Sequence, residues 1–275
     1  MSKMTPNTYM ETFFEGKDGD FVRKMEMPVP YFSGREKEIN QILECLCRAR
    51  SQSLILVGEP GCGKTQLVRK AAQKTRKFGF FELDLSLLVS GCTLIGMVEE
   101  KINDLLEYVS CYNRQKDMPA KIVLFVDEVH ALWGLNGSAF NGTASLNDIL
   151  KPYLADGRII IVGATTPKEF KRKVLADKAF MRRFSVIKVE APEKENTLSA
   201  LREFAKKIEK DVDENLLEAI YAESLGLSAF SSNPDAALEI LDRCNARNRY
   251  RGTPISVEMI QAVANDIHDP FAEIG

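Results

Sequence analysis

Five short stretches of the chain are mostly apolar, and the longer stretches between them repeat their apolar residues at helical spacing. Ser53–Val57, Phe80–Leu85, Lys121–Val126, Arg158–Val162 and Ser185–Val189 are too short for buried helices, which predicts strands. Ile39, Ile42, Leu43 and Leu46 share one face of a helix that begins near Arg35. Leu67, Val68, Ala71 and Ala72 mark a second helix; Ile95, Val98, Ile102, Leu105, Leu106 and Val109 mark a third. Strands without polar alternation are covered on both faces, and strands alternating with helices build a parallel sheet. The pattern therefore predicts an α/β domain over residues 31–192 with five parallel strands. After Ala191-Pro192 the strand-like runs stop. Leu198/Leu201/Ala205/Ile208, Leu216–Tyr221, Leu238/Leu241/Cys244 and Ile260/Val263/Ile267 predict a small helical domain over 193–275. Residues 1–30 show no clean period and end in Met27-Pro-Val-Pro30, which reads as an arm or linker. Trp133–Asn147, rich in Gly, Asn and Ser, reads as a loop.

Composition narrows the class. With 275 residues, 45% of them hydrophobic, the chain can bury a sizeable core, and 17 Gly and 11 Pro exclude disordered or collagen-like classes. The 37 Lys and Arg against 39 Asp and Glu leave a net charge of −2, so a surface that binds nucleic acid or anionic membrane throughout is not expected. No apolar run approaches the ~20 residues of a membrane helix. Met1–Gly16 lacks the apolar core of a signal peptide. Six scattered Cys suit free thiols in a reducing compartment, so a cytoplasmic location is expected.

Four elements carry candidate chemistry. Gly58-Glu-Pro-Gly-Cys-Gly-Lys-Thr65 fits G-x-x-x-x-G-K-[ST] between a predicted strand and a predicted helix, the context that motif requires. Gly58, Glu59, Pro60, Gly61, Cys62, Gly63, Lys64, Thr65 and Gln66 would wrap the phosphates of ATP. Lys64 would meet the β- and γ-phosphates, and the Thr65 hydroxyl would meet Mg²⁺. Asp127-Glu128 follows the strand Ile122–Val126; Asp127 would hold Mg²⁺ and Glu128 would polarise the attacking water, against the alternative of a solvated strand end. Gly163-Ala-Thr-Thr166 ends another strand, and one of its hydroxyls either holds that water or caps the helix before Pro167. Arg182-Arg183 lies in Lys168–Lys188, where eight Lys and Arg face two Asp and Glu. The pair reads as an arginine finger, a basic face or a DNA patch, the last without the interleaved aromatics that single strands stack on. Cys62 reads either as a reactive thiol at a helix N-terminus or as a small residue at a permissive position.

In this order and spacing the four elements resemble an AAA+ ATPase, most nearly the first ATPase module of the Clp disaggregase and unfoldase family. The resemblance runs from about Tyr31 to Asp266. Ser33-Gly34-Arg35-Glu36 is similar to that family's Ile-Gly-Arg-Asp, which implies adenine contact by Phe32 and Ser33. Gly163-Ala-Thr-Thr166 resembles its sensor and implies Thr166 for that role. Ala179-Phe-Met-Arg-Arg-Phe184 resembles its Ala-Leu-Glu-Arg-Arg-Phe and implies Arg182 and Arg183 as fingers acting on a neighbouring subunit. Asn233-Pro-Asp-Ala-Ala237 resembles part of its helical lid. The implied protein is an oligomer, expected as a hexameric ring, that uses Mg·ATP to work on a protein client. The departures point to a second reading, an ATP-gated regulator or adaptor with slow turnover. Leu94 stands where the family's gripping loop has tyrosine, and no counterpart of its N-terminal substrate domain, coiled-coil insertion or second ATPase module falls within these residues. A DNA-associated motor or loader is a third.

Overall fold

The apolar runs pair into one sheet, with a sixth strand added. The computed structural model describes residues 5–14, 21–25, 32, 34–90, 92, 95–133, 146–208, 212–228 and 231–268. Its strands are β1 (Val22–Lys24), β2 (Ser53–Val57), β3 (Phe78–Leu83), β4 (Lys121–Val126), β5 (Ile161–Thr165) and β6 (Phe184–Lys188), in the order β1-β3-β4-β5-β2-β6. The five expected strands pair parallel, while β1 runs antiparallel on the edge of β3 with Val22 opposite Leu83. The expected count of five is thus corrected to six. Only Val22 of β1 is buried, so this strand lacks the apolar run that marks an interior strand. β5 lies a few residues beyond the expected Arg158–Val162 because Ile159 and Ile160 approach the sheet before regular pairing begins.

The chain divides into two compact units. The first comprises residues 1–27, 37–57 and 67–188. It holds the sheet with helices α1 (Pro6–Phe14), α2 (Glu36–Leu46), α3 (Lys64–Lys74), α4 (Leu85–Val89), α5 (Ile95–Arg114), α6 (Leu146–Ala155), α7 (Pro167–Glu169) and α8 (Lys178–Met181), of which α2 and α3 begin in segments of the second unit. Ile55, Leu124, Val126 and Ile161 from four positions along the strands meet Ile102, Leu105 and Val109 of α5 in its core. Each such side chain contributes about 1.5–3 kcal/mol by leaving water. The expected N-terminal arm contributes α1, which Tyr9 fastens to α5 by stacking on Tyr108 with ring centroids 4.2 Å apart.

The second unit comprises residues 28–36, 58–66 and 189–275. Its helices are α9 (Lys194–Lys207), α10 (Glu214–Gly226), α11 (Asp235–Arg251) and α12 (Val257–His268), packed around Leu201, Ile220, Ile240, Leu241 and Val263. Among the described residues no helix is long and apolar enough to cross a membrane.

Within the sheet, parallel pairing decides which loops share an edge. β2, β4 and β5 run in register toward Gly58, Asp127 and Thr166 at their C-terminal ends. Ser53 pairs with Phe184, so Arg182 and Arg183 precede β6 at the opposite edge. At about 3.3 Å per residue, a strand such as β2 separates the two edges by roughly 13–16 Å.

Candidate functional site

The glycine-rich loop belongs to the second unit and is built to wrap an anion. Gly61 and Gly63 have φ of 77° and 88°, a region that side chains other than glycine rarely adopt. Gly61 is also crowded: a Cβ there would lie 2.3 Å from Ser231 Oγ and 2.7 Å from Asp235 Cβ. The Ser232 N–H donates to the Pro60 carbonyl at 2.8 Å, which seats the loop at the start of α11. α3 begins at Lys64, so the first-turn N–H groups of that helix face the loop with a partial positive charge.

Lys64 is the decisive side chain. It is only 8% exposed, and its ammonium donates to the Gly58 and Glu59 carbonyls, each at 2.9 Å. Among the described residues no carboxylate pairs with it. A buried cation held by neutral carbonyls beside a helix N-terminus is a place for a negative charge.

Cys62 is fully buried in the same loop, with its thiol toward the Val189 carbonyl. Burial pushes that thiol up, against the pull of Lys64 and Arg35, so the structural reading of Cys62 holds over the reactive one. Arg35, which the resemblance brought in only as part of a motif, ties the loop down. One guanidinium nitrogen donates to the Cys62 carbonyl and another to the Glu190 carbonyl, both at 2.7 Å. Phe32 lies near Gly63, its ring 3.9 Å from where a Cβ would be. Ser33, Leu94 and most of the Trp133–Asn147 loop lie outside the described residues.

The acidic end of the sheet belongs to the first unit. Asp127 Oδ1 accepts the Glu128 N–H at 3.0 Å, and Glu128 sits at a φ of 50°, a left-handed conformation that costs a non-glycine residue about 1–2 kcal/mol. A 3₁₀ turn over Val129–Trp133 follows, anchored by buried Val129 and Leu132. It places His130 Nδ1 3.1 Å from Glu128 Oε2 and 3.0 Å from Thr165 Oγ1. The two threonines of Gly163-Ala-Thr-Thr166 separate by strand alternation: Thr165 is fully buried against His130, while Thr166 Oγ1 accepts the Glu169 N–H as the cap of α7. Capping uses the Thr166 oxygen and leaves its hydroxyl proton to be donated. Sequence reasoning missed His130, whose contact with Thr165 spans 35 positions.

Thr65 and Asp127 offer hard oxygen donors of the kind Mg²⁺ takes. Among the described residues no group of three or more His, Cys, Asp or Glu could hold a metal by itself.

Arg182 and Arg183 line an open cleft of about 480 Å³ with Arg50, Ser51, Leu154 and Asp156. Arg183 donates to the Ala179 carbonyl of its own helical turn, and its Nε is buried without a partner among the described residues. Asp177 caps α8 through the Phe180 N–H and accepts from Lys151 at 2.8 Å. Part of the basic surplus is neutralised locally, since Arg172 and Lys173 both pair with Glu169.

The family model of the ATPase family associated with various cellular activities (AAA) matches residues 54–190. Those residues are an AAA ATPase domain. The match begins in β2, takes in the glycine-rich loop and the acidic strand end, and ends just beyond β6. Around this AAA domain the likeness extends further. The chaperone protein ClpB of Mycoplasma pneumoniae is 29% identical over 256 residues, which is 88% of this chain and 35% of that protein. ClpB of Aquifex aeolicus is 30% identical over 255 residues, 87% of this chain and 24% of that protein. A closed-state structure of Hsp104 with ATPγS and FITC casein superposes with a TM-score of 0.74 at 28% identity, over 93% of this chain and 45% of that one. The chain thus spans about a third or less of these curated relatives.

Proposed function

We propose that this chain binds Mg·ATP and hydrolyses it as a Clp-like module that works on a protein client. The observation that carries this reading is Lys64, a buried ammonium without a counter-ion among the described residues, set in a loop of left-handed glycines at the start of a helix. In this reading the loop from Gly58 to Gln66 holds the triphosphate, and Lys64 exchanges its loop carbonyls for phosphate oxygens. Phe32 and Ser33 contact the base. Thr65 and Asp127 hold Mg²⁺, which when bound neutralises charge on the phosphates. Glu128 takes a proton from the attacking water, and Thr166 donates its hydroxyl proton to orient that water.

Arg182 and Arg183 then act on a neighbour. They stand at the edge of the sheet opposite Glu128, which supports a role on a neighbouring chain's site in a heterologous assembly, with a hexameric ring as the expected form. The C-terminal helices act as the lid, because the loop is seated on Ser232 and Asp235 at the start of α11. The second reading, an ATP-gated regulator with slow turnover, is favoured by one observation: Leu94 replaces the tyrosine expected in a gripping loop.

Equilibrium binding of a fluorescent ATP analogue tests the carrying observation. Removing a buried phosphate partner costs about 3 kcal/mol, so Lys64→Ala should weaken binding roughly 100-fold, while Glu128→Gln should bind as the wild type does. Unchanged affinity in Lys64→Ala would remove the reading.

A further inference from the structure

His130 has no part in the proposed chemistry, yet it is the only described side chain that touches both Glu128 and Thr165 through one atom. Its position is set by packing. Val129 is buried beneath the turn and lies 3.0 Å from where a side chain on Gly163 would begin, so the turn and β5 approach as closely as their backbones allow. The Ala131 N–H donates to the Glu128 carbonyl at 2.8 Å and closes the turn over the glutamate. The ring that results is 17% exposed, whereas the Glu128 side chain is 55% exposed. A carboxylate that open to water has many rotamers, and the imidazole is what selects one of them.

One nitrogen faces two oxygens, and the chemistry of each oxygen decides where the proton sits. A carboxylate can only accept, while a threonine hydroxyl both donates and accepts. A proton on Nδ1 satisfies Glu128, and the Thr165 hydroxyl can turn its own proton elsewhere. A proton on Nε2 alone would leave the Glu128 carboxylate against a lone pair. Nε2 faces Glu169 Oε2 at 3.9 Å, and Glu169 in turn pairs with Arg172 and donates the backbone N–H that Thr166 accepts.

We propose that His130 is the positioning residue for Glu128: its Nδ1–H holds the glutamate carboxylate and ties it to Thr165 at the end of β5. Glu128 and the Thr165–Thr166 strand end are thereby held as one unit, so the group that takes the proton and the group that orients the water keep their spacing. The inference rests on the ATPase reading and deepens it.

Steady-state ATP turnover and nucleus-specific spectroscopy test it together. His130→Ala should lower kcat roughly 100-fold, the cost of a reacting group displaced by about 1 Å. KM for ATP should stay within about threefold, because the ring acts on the group that takes the proton and not on a group proposed to bind nucleotide. Asn places an N–H where Nδ1–H stood, so His130→Asn should restore most of the turnover; His130→Gln, which reaches only the Nε2 position, should not. The chain has two histidines, which makes the imidazole ¹⁵N spectrum readable. One of them should carry its proton on Nδ1 and shift in Glu128→Gln, while His268 stays in place.

Turnover of His130→Ala within about twofold of wild type would overturn the proposal. So would an Asn variant no better than the Gln variant, or a ring unprotonated at Nδ1 and indifferent to Glu128→Gln. A wild type that turns over no ATP would remove the ATPase reading, and this inference with it. An active wild type silenced by Glu128→Gln but not by His130→Ala would remove the inference alone.

Discussion

Arg35 sits at a φ of 64°, a conformation few non-glycine residues adopt, and its side chain reaches two carbonyls that belong to distant parts of the chain. The planar fork of arginine suits that span; a lysine offers one point charge. We expect Arg35→Lys to weaken ATP binding nearly as much as Arg35→Ala, each by roughly tenfold, the value of a charge-assisted hydrogen bond of about 1.4 kcal/mol. Lysine that restores full affinity in a titration would show that charge alone matters there. The sequence motif identified Arg35 without its role, because Cys62 and Glu190 are far away in sequence. Gly61 differs, since its motif already specifies a glycine. The structure adds the reason that Gly61→Ala should abolish binding, namely collision with Ser231 and Asp235 on top of the left-handed backbone. The threonine pair was legible as a pair only. Two adjacent strand-end residues point to opposite faces, and neither composition nor period says which faces the turn that carries His130.

At the scale of elements, the short α8 has its N-terminus held by Asp177 and its C-terminus leading straight into Arg182. Burial pushes the Asp177 carboxyl up, but the hydrogen bonds from Lys151, Phe180 and Asn147 and the Lys151 charge hold it below the usual carboxylate value. A carboxyl depressed in the folded state stabilises above its unfolded pKa, near about 3.9, and that contribution fades as pH falls through the lower folded value. Asp177→Ala should therefore cost about 1 kcal/mol at neutral pH, the usual cost of a lost cap. The gap between wild type and variant in thermal unfolding should close as pH falls below about 4. A gap that persists at pH 3 would contradict the assignment. The elements the sequence revealed were those with a continuous apolar run or a strong helical period: the five parallel strands, α2, α3, the long α5 and the four C-terminal helices. α1 and β1 were hidden because α1 is held by aromatic contacts with α5, and β1 is a three-residue edge strand with one buried position.

For the whole molecule, the sheet sets the terms. Parallel pairing puts Glu128 and the arginines at opposite edges, so an intact site would take Glu128 from one chain and Arg182 and Arg183 from another. Chains carrying Glu128→Gln and chains carrying Arg182→Ala with Arg183→Ala should each be inactive alone. Mixed together, they should regain turnover, because some interfaces then pair an intact glutamate with intact arginines. A mixture as inactive as its parts would place the arginines outside the shared site. The proposed assembly comes from the resemblance at Ala179–Phe184 and not from the composition, which is nearly charge-balanced; the register of two strands, Ser53 opposite Phe184, agrees with it.

ATP turnover per chain, measured for the wild type and for Glu128→Gln at saturating Mg·ATP over rising protein concentration, tests the central claim most directly. The account predicts turnover per chain that climbs with concentration and falls at least roughly 100-fold in Glu128→Gln with nucleotide binding retained, the scale expected for loss of a general base. Turnover that is absent in the wild type, or that Glu128→Gln leaves intact, would contradict it.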